Sequence, residues 1–72
     1  MIQVNAMSEI ANAVRKARKE QGISQTVLAQ LSNVGLRFLC ELEHGKSTVR
    51  FDKLLPVLTS LGMTLHLETP VE

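Results

Sequence analysis

Up to residue 62, apolar residues recur along this chain at the three- and four-residue spacing of helices, and beyond it the spacing changes to two. Ile10, Val14 and Ala17 form the first stripe, which predicts a helix from Ala6 or Ser8 to about Gln21, stopped by Gly22. Residues 24–46 then read as two short helices joined by a tight turn. Ala29 is the small residue that lets two helix backbones cross closely, with Leu28 and Leu31 flanking it as core. Four residues later, Asn33 stands where the chain must reverse through the left-handed backbone region, which Gly and, less readily, Asn accept. Val34, Leu39 and Leu42 supply the apolar stripe of the second helix of the pair, and Gly45 is its stop.

Phe51, Leu54, Leu55, Leu58 and Leu61 mark a fourth amphipathic helix, ended by Gly62. Pro56 falls inside it, where proline costs ~3 kcal/mol in a helix interior and much less in a first turn, so a late or kinked start is expected. Asp52 near that start suits the helix dipole. After Gly62, Met63, Leu65 and Leu67 alternate with Thr64, His66 and Glu68, the period of a strand. A lone strand is not stable, so it must pair with residues 2–4 or with the same strand of a second copy. The second is favoured, because an antiparallel pair about a two-fold axis makes a dimer and buries the apolar face. The alternative is a frayed tail or a pairing within the chain.

At 72 residues the chain is one domain, near the size at which a single core barely supports folding, so a partner subunit is expected. The lone Cys40 rules out an internal disulfide framework and suggests a reducing cytosol. No apolar run approaches the ~20 residues that span a bilayer, and residues 1–8 lack the basic start and apolar centre of a signal peptide. The expectation is therefore a cytoplasmic protein with no membrane contact. Met7 is an alternative start, since residues 1–6 add only Ile2 and Val4 to the large apolar positions. Net charge is only +1, yet all eight Lys and Arg lie between Arg15 and Lys53, where four acids leave a surplus of +4. A basic surface of this kind suits phosphate contacts and is also what a solvated helix face looks like.

The turn motif is more specific. Gln25, Leu28, Ala29, Val34, Leu39, Leu42, Glu43, Gly45 and Lys46 stand where the lambda-repressor/Cro type of helix-turn-helix domain carries its signature, and over roughly residues 8–62 the chain resembles that family. Within it, the phrase Arg37-Phe38-Leu39, the ending Glu-His-Gly-Lys, the helix from Leu54 to Leu61 and the closing Leu-Gly-Met-Thr-Leu-His-Leu are similar to the HipB-type antitoxins. Two positions depart from the family pattern. Asn33 replaces the usual turn Gly, and Gly35 replaces the usual Ser or Thr cap of the reading helix, which removes a hydroxyl that would have met a phosphate.

With Leu39 and Leu42 inward, helical geometry turns Arg37, Cys40, Glu41 and His44 outward, with Leu36 at the leading edge, and these are the candidates for base contacts. Arg37 leads, because its planar donor fork matches the two acceptors of guanine in the major groove. Leu36 can touch a thymine methyl. Glu41 can accept from cytosine, orient Arg37, or simply join a surface ion pair. Cys40 reads as a small residue facing the groove rather than an oxidation sensor, and Phe38 as packing. Gln25 and Thr26, at the start of the supporting helix, offer polar groups and a positive helix end to phosphate, and Lys46 and Arg50 are further phosphate candidates. Arg15, Lys16 and Lys19 point away from the first stripe, as a solubilising face or as phosphate contacts. Arg18 lies on the shoulder of that stripe and Glu43 on the shoulder of the reading helix, and the two are expected to form a structural ion pair, as the matching positions of the family do.

Other chemistries find little support. Cys40, His44 and His66 are too few and too poorly spaced for a structural zinc site, and there is no Gly-rich phosphate loop or nucleophile-base-acid set. The chain reads as no enzyme and needs no cofactor. The fold class expected is all-α: a lambda-repressor-like domain of four to five helices over residues 8–62, after an extension of residues 1–7 and before a dimerising strand and tail at 63–72. Such a protein acts as a two-fold repressor on palindromic double-stranded DNA. The antitoxin resemblance implies a further partner, a HipA-type serine/threonine kinase toxin encoded alongside. The competing readings are a free-standing phage-type or regulatory repressor, and a protein-interaction module that has lost DNA binding.

Overall fold

The computed structural model describes residues 4–70, and four helices make up its regular structure: α1 (Met7–Glu20), α2 (Gln25–Leu31), α3 (Leu36–Glu43) and α4 (Phe51–Ser60). Packing brings α3 against both α1 and α2, and α2 against α4. The core between them is aliphatic: Val14, Leu28, Ala29, Leu39, Leu42, Leu54, Val57, Leu58 and Leu61 are buried, with Met7, Ile10, Ala17, Ile23, Val34, Phe38, Val49 and Met63 packed around them.

One local device recurs at every helix end in the described residues. A residue with positive φ follows each helix: Gly22 (70°), Asn33 (55°), Gly45 (81°) and Gly62 (73°). The next amide then reaches back five residues to a carbonyl of the last turn: Ile23 to Arg18, Val34 to Ala29, Lys46 to Glu41 and Met63 to Leu58. This closure satisfies carbonyls that would otherwise be orphaned and sets the exit direction of the chain. Ile23, Val34 and Met63 use that exit to pack on the core, whereas Lys46 instead forms an ion pair with Glu41. Gly45 is constrained a second way, since a Cβ there would meet the Ser8 backbone at 3.4 Å.

The helix starts are less uniform. Ser24 caps α2, its hydroxyl accepting from the Val27 amide at 3.1 Å. Gly35 occupies the equivalent place before α3 with extended backbone (φ −71°, ψ 149°) and no side-chain cap, and nothing lies within 4 Å of where its Cβ would be.

Several expectations are corrected. Leu31 is not core but 63% exposed. Ala29 lies near the middle of the buried face of α2, and two residues further on the helix has turned about 200° away from it. In α4 the buried face is Leu54, Val57, Leu58 and Leu61, while Phe51 and Leu55 face water. The helix begins at Phe51 rather than late, and Pro56 lies inside it on the exposed side. Proline's missing donor there would have served the carbonyl of Asp52, an exposed residue whose carbonyl can turn to water instead. Met7, assigned to the N-terminal extension, is the first residue of α1 and packs on the core.

The largest correction concerns Met63, Leu65 and Leu67. The described residues contain no strand: after Met63, residues 64–70 are exposed and without regular structure. A strand needs a neighbouring strand for its backbone groups. The described residues supply none, since Val4 is not in a strand; residues 2 and 3 of the alternative partner lie outside the described residues. Val4, Ile10, Ala13, Leu58, Met63, Leu65 and Leu67 instead line an open, mainly apolar cleft of about 830 Å³.

Because the Gly35 backbone already has cap geometry with free space for a side chain, Gly35→Ser should raise stability by a few tenths to about 1 kcal/mol. The urea midpoint measures this, and a lowered midpoint would contradict the cap assignment.

Candidate nucleic-acid interface

Every charge on α3 stands against its own helix dipole. Arg37 is in the first turn, where the helix end is already positive, and Glu41 and Glu43 are in the last, where it is negative. Without a side-chain cap, an eight-residue helix with this arrangement needs outside help. Three cations from elsewhere provide it at the C-terminal end: Arg15 and Arg18 from α1, and Lys46 from the following loop.

Glu43 is the centre of that support and is itself buried, 2% exposed. Arg18 grips its carboxylate in a fork, Nε donating to Oε2 at 2.8 Å and Nη2 to Oε1 at 3.0 Å, while Nη1 donates to the Ile23 carbonyl at 3.0 Å. Gln25 Nε2 adds a third bond to Glu43 Oε1 at 3.1 Å, and Cys40 Sγ donates to Gln25 Oε1 at 3.3 Å. Burial pushes the Glu43 carboxyl up, but the bonds from Arg18 and Gln25 and the charges of Arg18 and Arg15 outweigh it and hold the group below the ordinary carboxylate range. The same bond raises the Arg18 guanidinium above its usual value. α1, α2 and α3 are thus tied at one carboxylate.

Among the other residues singled out, Leu36 (46% exposed) and Arg37 lie at the open leading edge of α3, and neither has a side-chain hydrogen bond within the described residues. Cys40 is half-buried and turned toward Gln25. Glu41 accepts from Lys46 Nζ at 3.0 Å, which holds its carboxyl below the usual range. His44 ends the helix, its Nδ1 2.7 Å from the Cys40 carbonyl, a contact in which the ring N–H must be the donor. Thr26 is exposed at the start of α2. Arg50 is forked onto Asp52 (2.7 and 3.2 Å) and depresses that carboxyl.

Arg37, Lys46 and Arg50 nevertheless come together. With Lys53, Thr48 and Phe38 they line one cleft of about 390 Å³ between the start of α3 and the start of α4. Lys53 and Thr48 carry no motif and are missed by sequence reasoning. Lys53 lies 6.0 Å from the centre of the Phe38 ring, so Phe38 packs partly beneath a cation. Arg15 is missed too, although a signal exists: it precedes Arg18 by three residues and so shares its face of α1.

A short helix pair held at a fixed crossing, with an open basic edge on its second member, is a helix-turn-helix DNA-binding element. A family model described as helix-turn-helix matches residues 14–67, and the chain belongs to that family. It is 40% identical over 70 residues to the uncharacterized HTH-type transcriptional regulator y4mF of Sinorhizobium fredii (strain NBRC 101917 / NGR234), covering 97% of this chain and 92% of that protein. Among solved structures it superposes on HipB in a complex with an O4 20mer (TM-score 0.86, 19% identity, 96% and 97% of the two chains) and on HipB in a HipA-HipB-O2-O3 complex (TM-score 0.87, 19% identity, the same coverage). A chain of a toxin-antitoxin module from Streptococcus pneumoniae is 37% identical, with a TM-score of 0.70 over 89% of this chain and 74% of that one.

The pKa direction of Glu43 makes stability depend on pH. Its folded-state value lies below the unfolded one, so the pair's contribution is complete above the ordinary carboxylate pKa of about 4.3 and is lost as pH falls through the lower folded value. Arg18→Ala should cost about 3–5 kcal/mol at pH 7. Thermal melts across pH 2–7 should show a steep acid limb in the wild type that Glu43→Gln flattens; an unchanged limb would place the titrating group elsewhere.

Proposed function

We propose that this chain is a sequence-specific transcriptional repressor that binds a palindromic operator as a homodimer and serves as the antitoxin of a toxin-antitoxin operon. The observation that carries the reading is α3 itself: it is locked from behind through Glu43, while Arg37 and Leu36 project uncommitted from its leading edge beside a cleft of cations. Entering the major groove, Arg37 takes the two acceptors of a guanine and Leu36 a thymine methyl, with Cys40, Glu41 and His44 along the same helix. Lys46 and Arg50 exchange their carboxylate partners for DNA phosphates. Exposed ion pairs of this kind are screened by solvent and hold each other weakly, so the exchange is inexpensive. Thr26 and the uncommitted amide hydrogen of Gln25 contact phosphate from α2.

The dimer follows from the apolar cleft. Leu67 is 91% exposed and Leu65 40%, and a second copy laid over this face would cover both. Two reading helices then meet successive major grooves. The toxin partner is supported by solved structures that this chain resembles, among them a HipA-HipB complex and a toxin-antitoxin module. A HipA-type serine/threonine kinase encoded beside the gene is the partner proposed. The name of y4mF, an HTH-type transcriptional regulator, fits equally a second reading, a regulator without a toxin. No helix among the described residues is long and apolar enough to cross a membrane, which agrees with work on DNA in the cytoplasm.

Fluorescence anisotropy with DNA from upstream of the gene and a scrambled duplex tests the reading. A preference of about a thousandfold or more with a steep salt slope is expected, and equal weak binding would overturn it. Arg37→Ala should cost about 1–3 kcal/mol and relax selectivity at one base pair. Leu65→Asp with Leu67→Asp should convert a dimer to a monomer in sedimentation, and co-expression with the neighbouring gene separates the antitoxin from the free repressor.

A further inference from the structure

The carboxylate of Glu43 fixes one point of the reading helix, but a single point does not fix an orientation. The Glu43 side chain has torsions of its own, so the Arg18 fork restrains the main chain of α3 only indirectly, and the packing of Leu39 and Leu42 has no hydrogen-bond direction to add. Its eight residues span about 12 Å, so a tilt of only about 5° displaces Leu36 and Arg37, at the far end, by ~1 Å. Recognition of base edges tolerates roughly half that. A second tie, made to the main chain rather than to the side chain, restrains that angle directly.

Arg15 supplies it. Its Nη1 donates to the main-chain carbonyl of Glu43 at 3.2 Å, across 28 residues of sequence, and its Nη2 donates to the side-chain oxygen of Asn12, one turn earlier in α1. The guanidinium therefore bridges the two helices, bonded to Asn12 on α1 and to the main chain at the end of α3. It also brings a positive charge to a helix end that carries two acids and no basic residue of its own.

We infer that Arg15, held by Asn12, is a positioning residue for DNA reading: it fixes the angle of α3 through the Glu43 carbonyl and touches no nucleotide itself. The inference rests on the repressor reading above. Arg18 and Arg15 divide the work. Arg18 satisfies a buried carboxylate and so keeps the fold together, while Arg15 satisfies a main-chain acceptor and so aims the helix.

The test compares Arg15→Ala, Arg15→Lys and Asn12→Ala for binding to operator and scrambled duplexes over a salt series, with hydrogen exchange of the free proteins. Arg15→Ala should weaken operator binding about five- to twentyfold, in line with one lost charge-assisted hydrogen bond, and leave scrambled-duplex affinity and salt slope unchanged. Arg15→Lys keeps the charge, gives up the fork and should behave like Arg15→Ala. Asn12→Ala, which changes no charge, should weaken operator binding about two- to fivefold and add nothing on top of Arg15→Ala. In the free protein, the amides of His44, Gly45 and Lys46, which close the end of α3, should exchange faster in all three variants while those of α4 do not.

Three results would overturn the inference. One is equal losses on both duplexes with a slope shallower by about 0.9, the mark of a phosphate contact. The others are full rescue by Arg15→Lys and the absence of any change. Failure of the underlying repressor reading is recognised separately, as a wild type without operator preference whose exchange pattern still responds to Arg15→Ala.

Discussion

A carboxylate taken out of water costs several kcal/mol unless donors replace the lost hydration, and Glu43 is buried with three donors on its two oxygens. Those donors come from two other helices, so the requirement to satisfy one side chain fixes where α1, α2 and α3 meet. An aliphatic core alone would not do this. Leucine and valine contacts reward burial in many similar arrangements, whereas a forked guanidinium on a carboxylate accepts few. The core supplies the bulk of the stability and Glu43 fixes the point at which the three helices meet.

The same constraint explains why α3 can be so poorly designed as a helix and still serve. It is short, lacks a side-chain cap, and carries its charges in the wrong order for its dipole. A helix optimised in isolation would put an acid in the first turn and a base in the last. Arg37 in the first turn instead adds to the positive helix end and faces outward, which suits a surface meant for a polyanion. The cost of that arrangement is offset by cations borrowed from α1 and from the loop after α3. Interface and support therefore sit at opposite ends of one element.

The cationic cleft is partly neutralised in the free protein. Lys46 rests on Glu41, Arg50 on Asp52, and Lys53 above Phe38, leaving Arg37 as the cleft cation without such a partner in the described residues. This ordering of surface cations leaves a net positive charge at the cleft. It also separates the residue best shaped to read a base from those suited to phosphate.

Much of this was written in local sequence. Helical spacing located all four helices, and the reversals at Gly22, Asn33, Gly45 and Gly62 could be placed because left-handed backbone is a single-residue property. The turn motif and its relatives were legible for the same reason, since a fixed crossing of short helices needs particular residues at particular offsets. What the sequence could not settle was which of two similar residues faces inward. Leu31, Phe51 and Leu55 are as apolar as Leu28, Leu54 and Val57, and only the position of neighbouring helices decides which are covered. The end of the chain is the clearest case. Alternation at Met63, Leu65 and Leu67 encodes a readiness to pair, but a strand exists only when another strand satisfies its backbone, and the described residues of one chain do not provide it. Arg15 belongs here too: its spacing from Arg18 places it on the same face of α1, but it gains a role only because α3 ends beside it, placing a main-chain carbonyl within reach of its guanidinium.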